Sequence, residues 1–282
     1  MDHVPNPVAF VGGGNMARAI VAGSLEAGLL HPGGVCAADP DAGARAWFES
    51  VGCETFVEGS GALRWLERTE STPGSGVLVL AVKPQVFDQA AAPLALALKG
   101  GSRLVVSILA GTTTERVRAT LGGGVHVVRA MPNTPARVRK GITAIATGVS
   151  ATDDDAAQAA GLFRAVGRVV RIDESLMDAF TAVAGSGPAY VFLLAEAMVE
   201  GAVEAGFDRE TALLAVRATV AGAGALLESG DEEPAALRAA VTSRGGTTAA
   251  AVAVLESARV REAVVRAVVA ARDRGRALSG GA

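Results

Sequence analysis

The chain has 282 residues, half of them apolar and only 4% aromatic, with a formal charge of −3. That length allows two domains, and a core with few aromatics must be assembled from Ala, Val and Leu, which suits close-packed helices and parallel strands. The negative balance excludes a general nucleic-acid binder, which needs a concentrated basic face, but not an anionic small molecule held by local donors.

Residues 1–7 are polar and place no basic segment ahead of an apolar run, so no secretory leader is expected. Gly, Pro or charge breaks each apolar stretch, so no membrane span is expected, and the expected location is the cytoplasm. Val8–Val11 predicts a strand running into Gly12-Gly13-Gly14-Asn15-Met16-Ala17, a G-x-G-x-x-A turn, and then a helix over 15–27. Strands follow at 35–38 and 54–57, with a helix over 41–50 behind an Asp-Pro-Asp cap. Residues 77–82 are continuously apolar, as a fully buried parallel strand should be. A helix over 85–98, a strand over 104–108, a helix over 114–121 and a strand over 125–130 come next. Strands at 142–146 and 168–172 flank a helix over 153–166. Residues 68–76 lack periodicity and read as a surface loop without a function. This alternation predicts an α/β fold, an open parallel sheet covered by helices, with a ligand crevice beyond the strand carboxyl ends.

From Glu174 the strand signal stops. Helices are predicted over 175–183, 188–205, 209–229, 234–241, 247–257 and 261–277. Pro188 fits a first helical turn and Gly206 a helix end. Helix 188–205 is apolar around most of its circumference, so it must be buried, and an oligomer centred on this segment is expected. Gly201, Gly222 and Gly224 would let helix backbones approach closely.

The glycine turn can hold a dinucleotide. Gly12 permits the turn, Gly14 lets backbone approach a pyrophosphate, and the following helix start favours an anion. Asp39 ends the second strand, where an acid can bond an adenosine ribose; it can equally share helix capping with Asp41. It would repel a 2′-phosphate, and neither Pro40 nor Asp41 supplies a base; Arg45 is nearby in the following helix and reads as a solvated side chain. Lys83 follows a buried strand and reads either as a cation near the cofactor or as an exposed strand end. The small residues 107–111 could admit a flat nicotinamide ring, and Asn133 sits in a loop fixed by Pro132 and Pro135. In the helical part, Gly245, Gly246, Thr247 and Thr248 precede a helix and make either a small-anion cradle or an ordinary cap. Gly185-Ser186-Gly187-Pro188 reads as a tight turn between two helices, with Tyr190, the single tyrosine, as a dimer anchor. His3, His31 and His126 lack metal spacing, and Cys36 and Cys53 read as reduced core thiols.

Together V-G-G-G-N-M-A, A-V-K-P-Q, R-A-M-P-N-T-P, G-S-G-P-A-Y and V-T-S-R-G-G-T-T span the chain in an order that resembles the pyrroline-5-carboxylate reductase family. The resemblance implies a Rossmann-type, mostly parallel sheet domain over 1–172 and an all-helical dimerisation and substrate domain over 173–282. It implies NADPH or NADH as hydride donor, a cyclic imino acid as substrate, L-proline as product, and dimers that some members build into decamers. Thr248 then resembles the hydroxyl that bonds the ring nitrogen. Ser243, Gly245, Gly246 and Thr247 resemble the carboxylate receptor, with Glu174 near the substrate. Gly12, Gly14, Asn15, Met16, Asp39, Ala81, Lys83, Ala110 and Asn133 resemble the cofactor side. Arg244 stands where many members have proline, and Ala184 where serine is usual. Reduction of a related imino acid or hydroxy acid, or nucleotide binding without turnover, are the competing readings.

Overall fold

The computed structural model describes residues 6–98, 101–278 and 280; His3 lies outside them. The chain forms two compact units. One runs to Gly185 and takes the chain back from Ala271; the other is Ser186–Ala270.

The first unit is built on eight strands: β1 Val8–Val11, β2 Val35–Ala38, β3 Glu54–Phe56, β4 Val77–Leu80, β5 Arg103–Ser107, β6 Val125–Met131, β7 Gly141–Thr147 and β8 Gly167–Arg171. Their order is β3-β2-β1-β4-β5-β6-β7-β8. All neighbours are parallel except β6 and β7. β1, β2 and β4 are wholly buried, which explains why they read as unbroken apolar runs. Side chains alternate between the faces. Val8 and Phe10 join a core with α1 (Asn15–Glu26), α2 (Ala42–Ser50) and α6 (Asp153–Arg164). Ala9 and Val11 join a second core with α3 (Gly59–Thr69), α4 (Phe87–Leu98) and α5 (Thr114–Leu121). β1 lies between β2 and β4, so the order reverses at its carboxyl end, where the glycine turn begins. The fold is Rossmann-type.

The loop after α3 is not a bare surface loop. Glu70 bonds Arg103 at 2.9 and 3.2 Å and accepts the N–H groups of Gly74 and Gly76. Both side chains are buried. Burial pushes the Glu70 carboxyl up, but the bonds from Arg103, Gly74 and Gly76 and the Arg103 charge more than reverse this. The group stays below the usual carboxylate range.

After a 3₁₀ turn at Glu174–Leu176, α7 (Met177–Phe180) is followed by one π-helical turn, Thr181–Gly185. The chain then enters α8 (Gly187–Glu204). Gly185-Ser186-Gly187-Pro188 is therefore not the tight turn that two glycines and a proline suggest. The π turn carries the helix onward, and Pro188 occupies the first turn of α8, where its missing N–H costs no bond.

In the second unit α8 and α9 (Arg209–Ser229) pack on each other, followed by α10 (Pro234–Ala240), α11 (Thr247–Ser257) and the first part of α12 (Val260–Leu278). Its buried cluster contains only Val199, Ala212 and Val216. Phe192 is 62% exposed and Leu193 68%. Much of the apolar surface of α8, Val199 excepted, is thus uncovered within one chain. Nothing lies within 4 Å of a Cβ built on Gly201, Gly222 or Gly224, so the close approach expected there is not made within the chain. By length and composition alone, the helices over 174–204 and 209–229 could cross a membrane, with only 11% of each apolar window buried.

Candidate functional site

The glycine turn joins β1 to α1. Gly12 has φ +104°, and a Cβ there would meet Ala81 C and O at 2.6 Å, so only glycine fits between the exits of β1 and β4. Gly14 caps α1 from extended backbone; a Cβ there would meet nothing within 4 Å. No side chain caps this helix, so the N–H groups of its first turn open outward at the positive end of its dipole. Asn15 is exposed beside Gly14, and Met16 is half-buried. This is a cradle that fits a pyrophosphate.

Asp39 closes the turn from β2. Its Oδ2 accepts the Gly13 N–H at 2.7 Å and its Oδ1 the Asp41 N–H at 2.9 Å. Asp41, not Asp39, caps α2, accepting from Ala44 N–H. Ala81 lies just beyond β4, and Lys83 is exposed at the start of the 3₁₀ turn Pro84–Val86. Ala110 is exposed beyond β5. Gly12, Asp39, Ala81, Lys83 and Ala110 therefore all follow parallel strand ends on one edge of the sheet.

Asn133 and Glu174 both make hydrogen bonds within the first unit. The Asn133 side chain accepts from Ile142 N–H and donates to Ala184 O, each at 3.0 Å. A π turn shifts its bonding by one residue, and Asn133 takes up a carbonyl inside that turn. Glu174 accepts the Thr114 N–H at 2.8 Å and its hydroxyl at 2.6 Å, with Arg129 at 3.4 Å. The carboxylate thus sits at the start of α5. Arg129 also reaches Asp178 at 3.7 Å. Thr114, Arg129 and Asp178 were not singled out in the sequence. The available signal was an arginine inside the apolar run Val127-Val128-Arg129-Ala130, which needs a buried partner.

In the second unit, Gly245 has φ +72°, and Gly246 caps α11 from extended backbone without a side-chain cap. A Cβ on Gly246 would collide with the Ser243 hydroxyl. Arg244 is exposed. Thr242 donates its hydroxyl to Arg238 O and is spent. Thr247 and Thr248 open α11, and among the described residues their hydroxyls have no hydrogen-bond partner. Two hydroxyls without a partner, the α11 N–H groups and a glycine pair are donors of the kind that a small anion needs.

Residues 174–278 match the family described as pyrroline-5-carboxylate reductase dimerisation. Residues 7–111 match NADP oxidoreductase coenzyme F420-dependent. A pyrroline-5-carboxylate reductase of Arabidopsis thaliana is 38% identical over 252 residues, 87% of each chain. One from Synechocystis is 41% identical over 85% of each. The chain belongs to the pyrroline-5-carboxylate reductase family. The structure of the Coxiella burnetii reductase superposes with TM-score 0.86 at 36% identity, covering 97% of this chain and 98% of that one. The Plasmodium falciparum pyrroline carboxylate reductase, solved with NADP bound, gives 0.84 at 25% identity over 98% and 99%. Membership in this reductase family accounts for both features, a dinucleotide cradle in a Rossmann-type unit and a helical unit with an uncovered apolar surface.

Proposed function

We propose that this protein reduces 1-pyrroline-5-carboxylate to L-proline with NAD(P)H, the last step of proline biosynthesis. The reading is carried by relatives of that name at 38% and 41% identity over most of the chain. Residues 1–172 serve as the dinucleotide-binding domain and 173–282 as the dimerisation and substrate domain. Gly12, Gly14, Asn15 and Met16 hold the pyrophosphate, Asp39 the adenosine ribose, and Ala81, Lys83, Ala110 and the backbone around Asn133 the nicotinamide side. The dinucleotide supplies a hydride for the C=N carbon.

Gly245, Gly246, Thr247 and Ser243 receive the substrate carboxylate, and Thr248 bonds the ring nitrogen. A protonated imine is the better electrophile, so Thr248 orients the nitrogen while solvent supplies its proton. No nucleophile is needed, and catalysis is chiefly positioning. Glu174 supports the site through α5 and Arg129. The uncovered helices make a homodimer the smallest active unit, and a decamer built from these dimers is the larger assembly. The working compartment is the cytoplasm. A hydroxy acid would need a proton carrier, yet residues 174–282 contain neither Lys nor His.

Steady-state turnover of pyrroline-5-carboxylate with NADPH and NADH, with proline measured as product, tests the reading. Stoichiometric proline supports it. Cofactor binding without turnover overturns it in favour of a nucleotide-binding protein.

A further inference from the structure

Two guanidinium groups flank the turn between β2 and α2. Arg45 donates from Nη1 to Asp39 O at 2.7 Å and Pro40 O at 3.0 Å. Arg18 donates to Gly13 O at 3.0 Å and Gly43 O at 3.3 Å, its guanidinium 5.9 Å from the Trp47 ring centre. Both are anchored on neutral carbonyls. Among the described residues neither guanidinium has a carboxylate partner. The two carboxylates at this turn are already engaged by backbone: Asp39 accepts from Gly13 and Asp41 N–H, and Asp41 accepts from Ala44 N–H. Read along the chain, Asp39 would reject a 2′-phosphate because no base adjoins it. The α2 helix brings a base back to the turn six residues later.

We propose that Arg45 reads the 2′-phosphate of NADPH, and that with Asp39 it makes this turn tolerant of both dinucleotides. Nη1 is held by the carbonyls of Asp39 and Pro40, while Nη2 and Nε remain as paired donors of the kind that match phosphate oxygens. Asp39 keeps lone pairs that suit a ribose hydroxyl. The proposal rests on the reading of the first unit as a dinucleotide binder.

Calorimetric titration with 2′,5′-ADP and with 5′-ADP separates the two. In the wild-type protein both should bind. Arg45→Gln should weaken 2′,5′-ADP about tenfold or more and leave 5′-ADP within about twofold, which also shows that the variant folds. An unchanged affinity for 2′,5′-ADP, or an equal loss for both ligands, overturns the assignment of Arg45 and leaves the dinucleotide reading intact. So does a wild-type protein that binds 5′-ADP alone. Failure of both ligands to bind the wild type overturns the dinucleotide reading itself.

Discussion

The two units of this chain differ in how they satisfy their apolar residues. The sheet unit buries β1, β2 and β4 completely and covers both faces with its own helices. The helical unit has one small buried cluster and leaves Phe192 and Leu193 facing outward. Equal hydrophobicity thus has two meanings here. In the sheet unit it specifies a fold, and in the helical unit it specifies an encounter with a second chain. If the helical unit dimerises as proposed, its stability should depend on concentration, unlike that of the sheet unit.

The contrast can be broken hardest within the sheet unit. Arg103→Met leaves Glu70 buried without its counter-ion and should cost about 3–5 kcal/mol, read as a lowered thermal midpoint. Adding Glu70→Leu should recover most of it. The folded Glu70 lies below its unfolded value, so its contribution is present above the ordinary carboxylate pKa. It should be lost as pH falls through the folded value. Wild type should therefore lose stability relative to the double variant on acidification, as followed by circular dichroism. On the helical side, Phe192→Asp should weaken self-association about thirtyfold or more in sedimentation experiments while dinucleotide binding persists. A variant that sediments like wild type would refute α8 as the encounter surface.

Smaller changes sharpen the division of labour. Thr248→Ala should lower kcat for the imine about three- to tenfold and leave cofactor affinity unchanged. Loss of cofactor binding alone would contradict the assignment of substrate to the helical unit. Thr152→Ala removes one half of the capping box that starts α6 and should cost about 1 kcal/mol without affecting association or kcat. Denaturant unfolding checks it.

The strands and the glycine turn were legible because their information is local. A buried parallel strand is a continuous apolar run, and Gly12 is confined by the neighbouring strand exit. The Glu70–Arg103 pair was not legible, because its partners lie 33 residues apart and leave no periodic trace. Neither was the π turn, since one added residue per turn has no pattern of its own and the Gly-Ser-Gly-Pro run suggests a break. The all-round apolar character of helix 188–205 was legible, but within one chain much of it stays exposed. Gly245, Gly246 and the two threonines announced a helix start but left cradle and cap equally open; no side chain caps it. Asn133 stood out as a polar residue in a rigid loop, but the sequence could not show that Ile142 and Ala184 use both ends of its amide.

Cys36 and Cys53 are the two cysteines of the chain, and both are buried and free. Burial pushes the Cys53 thiol up to about 11 and drives Cys36 higher still, so neither offers thiolate at neutral pH. The native protein therefore has a silent background for maleimide chemistry. A single cysteine introduced on α8 can carry a spin label or a fluorophore without first removing the natural pair. Distances between labels on two copies can then be measured in an otherwise unaltered enzyme.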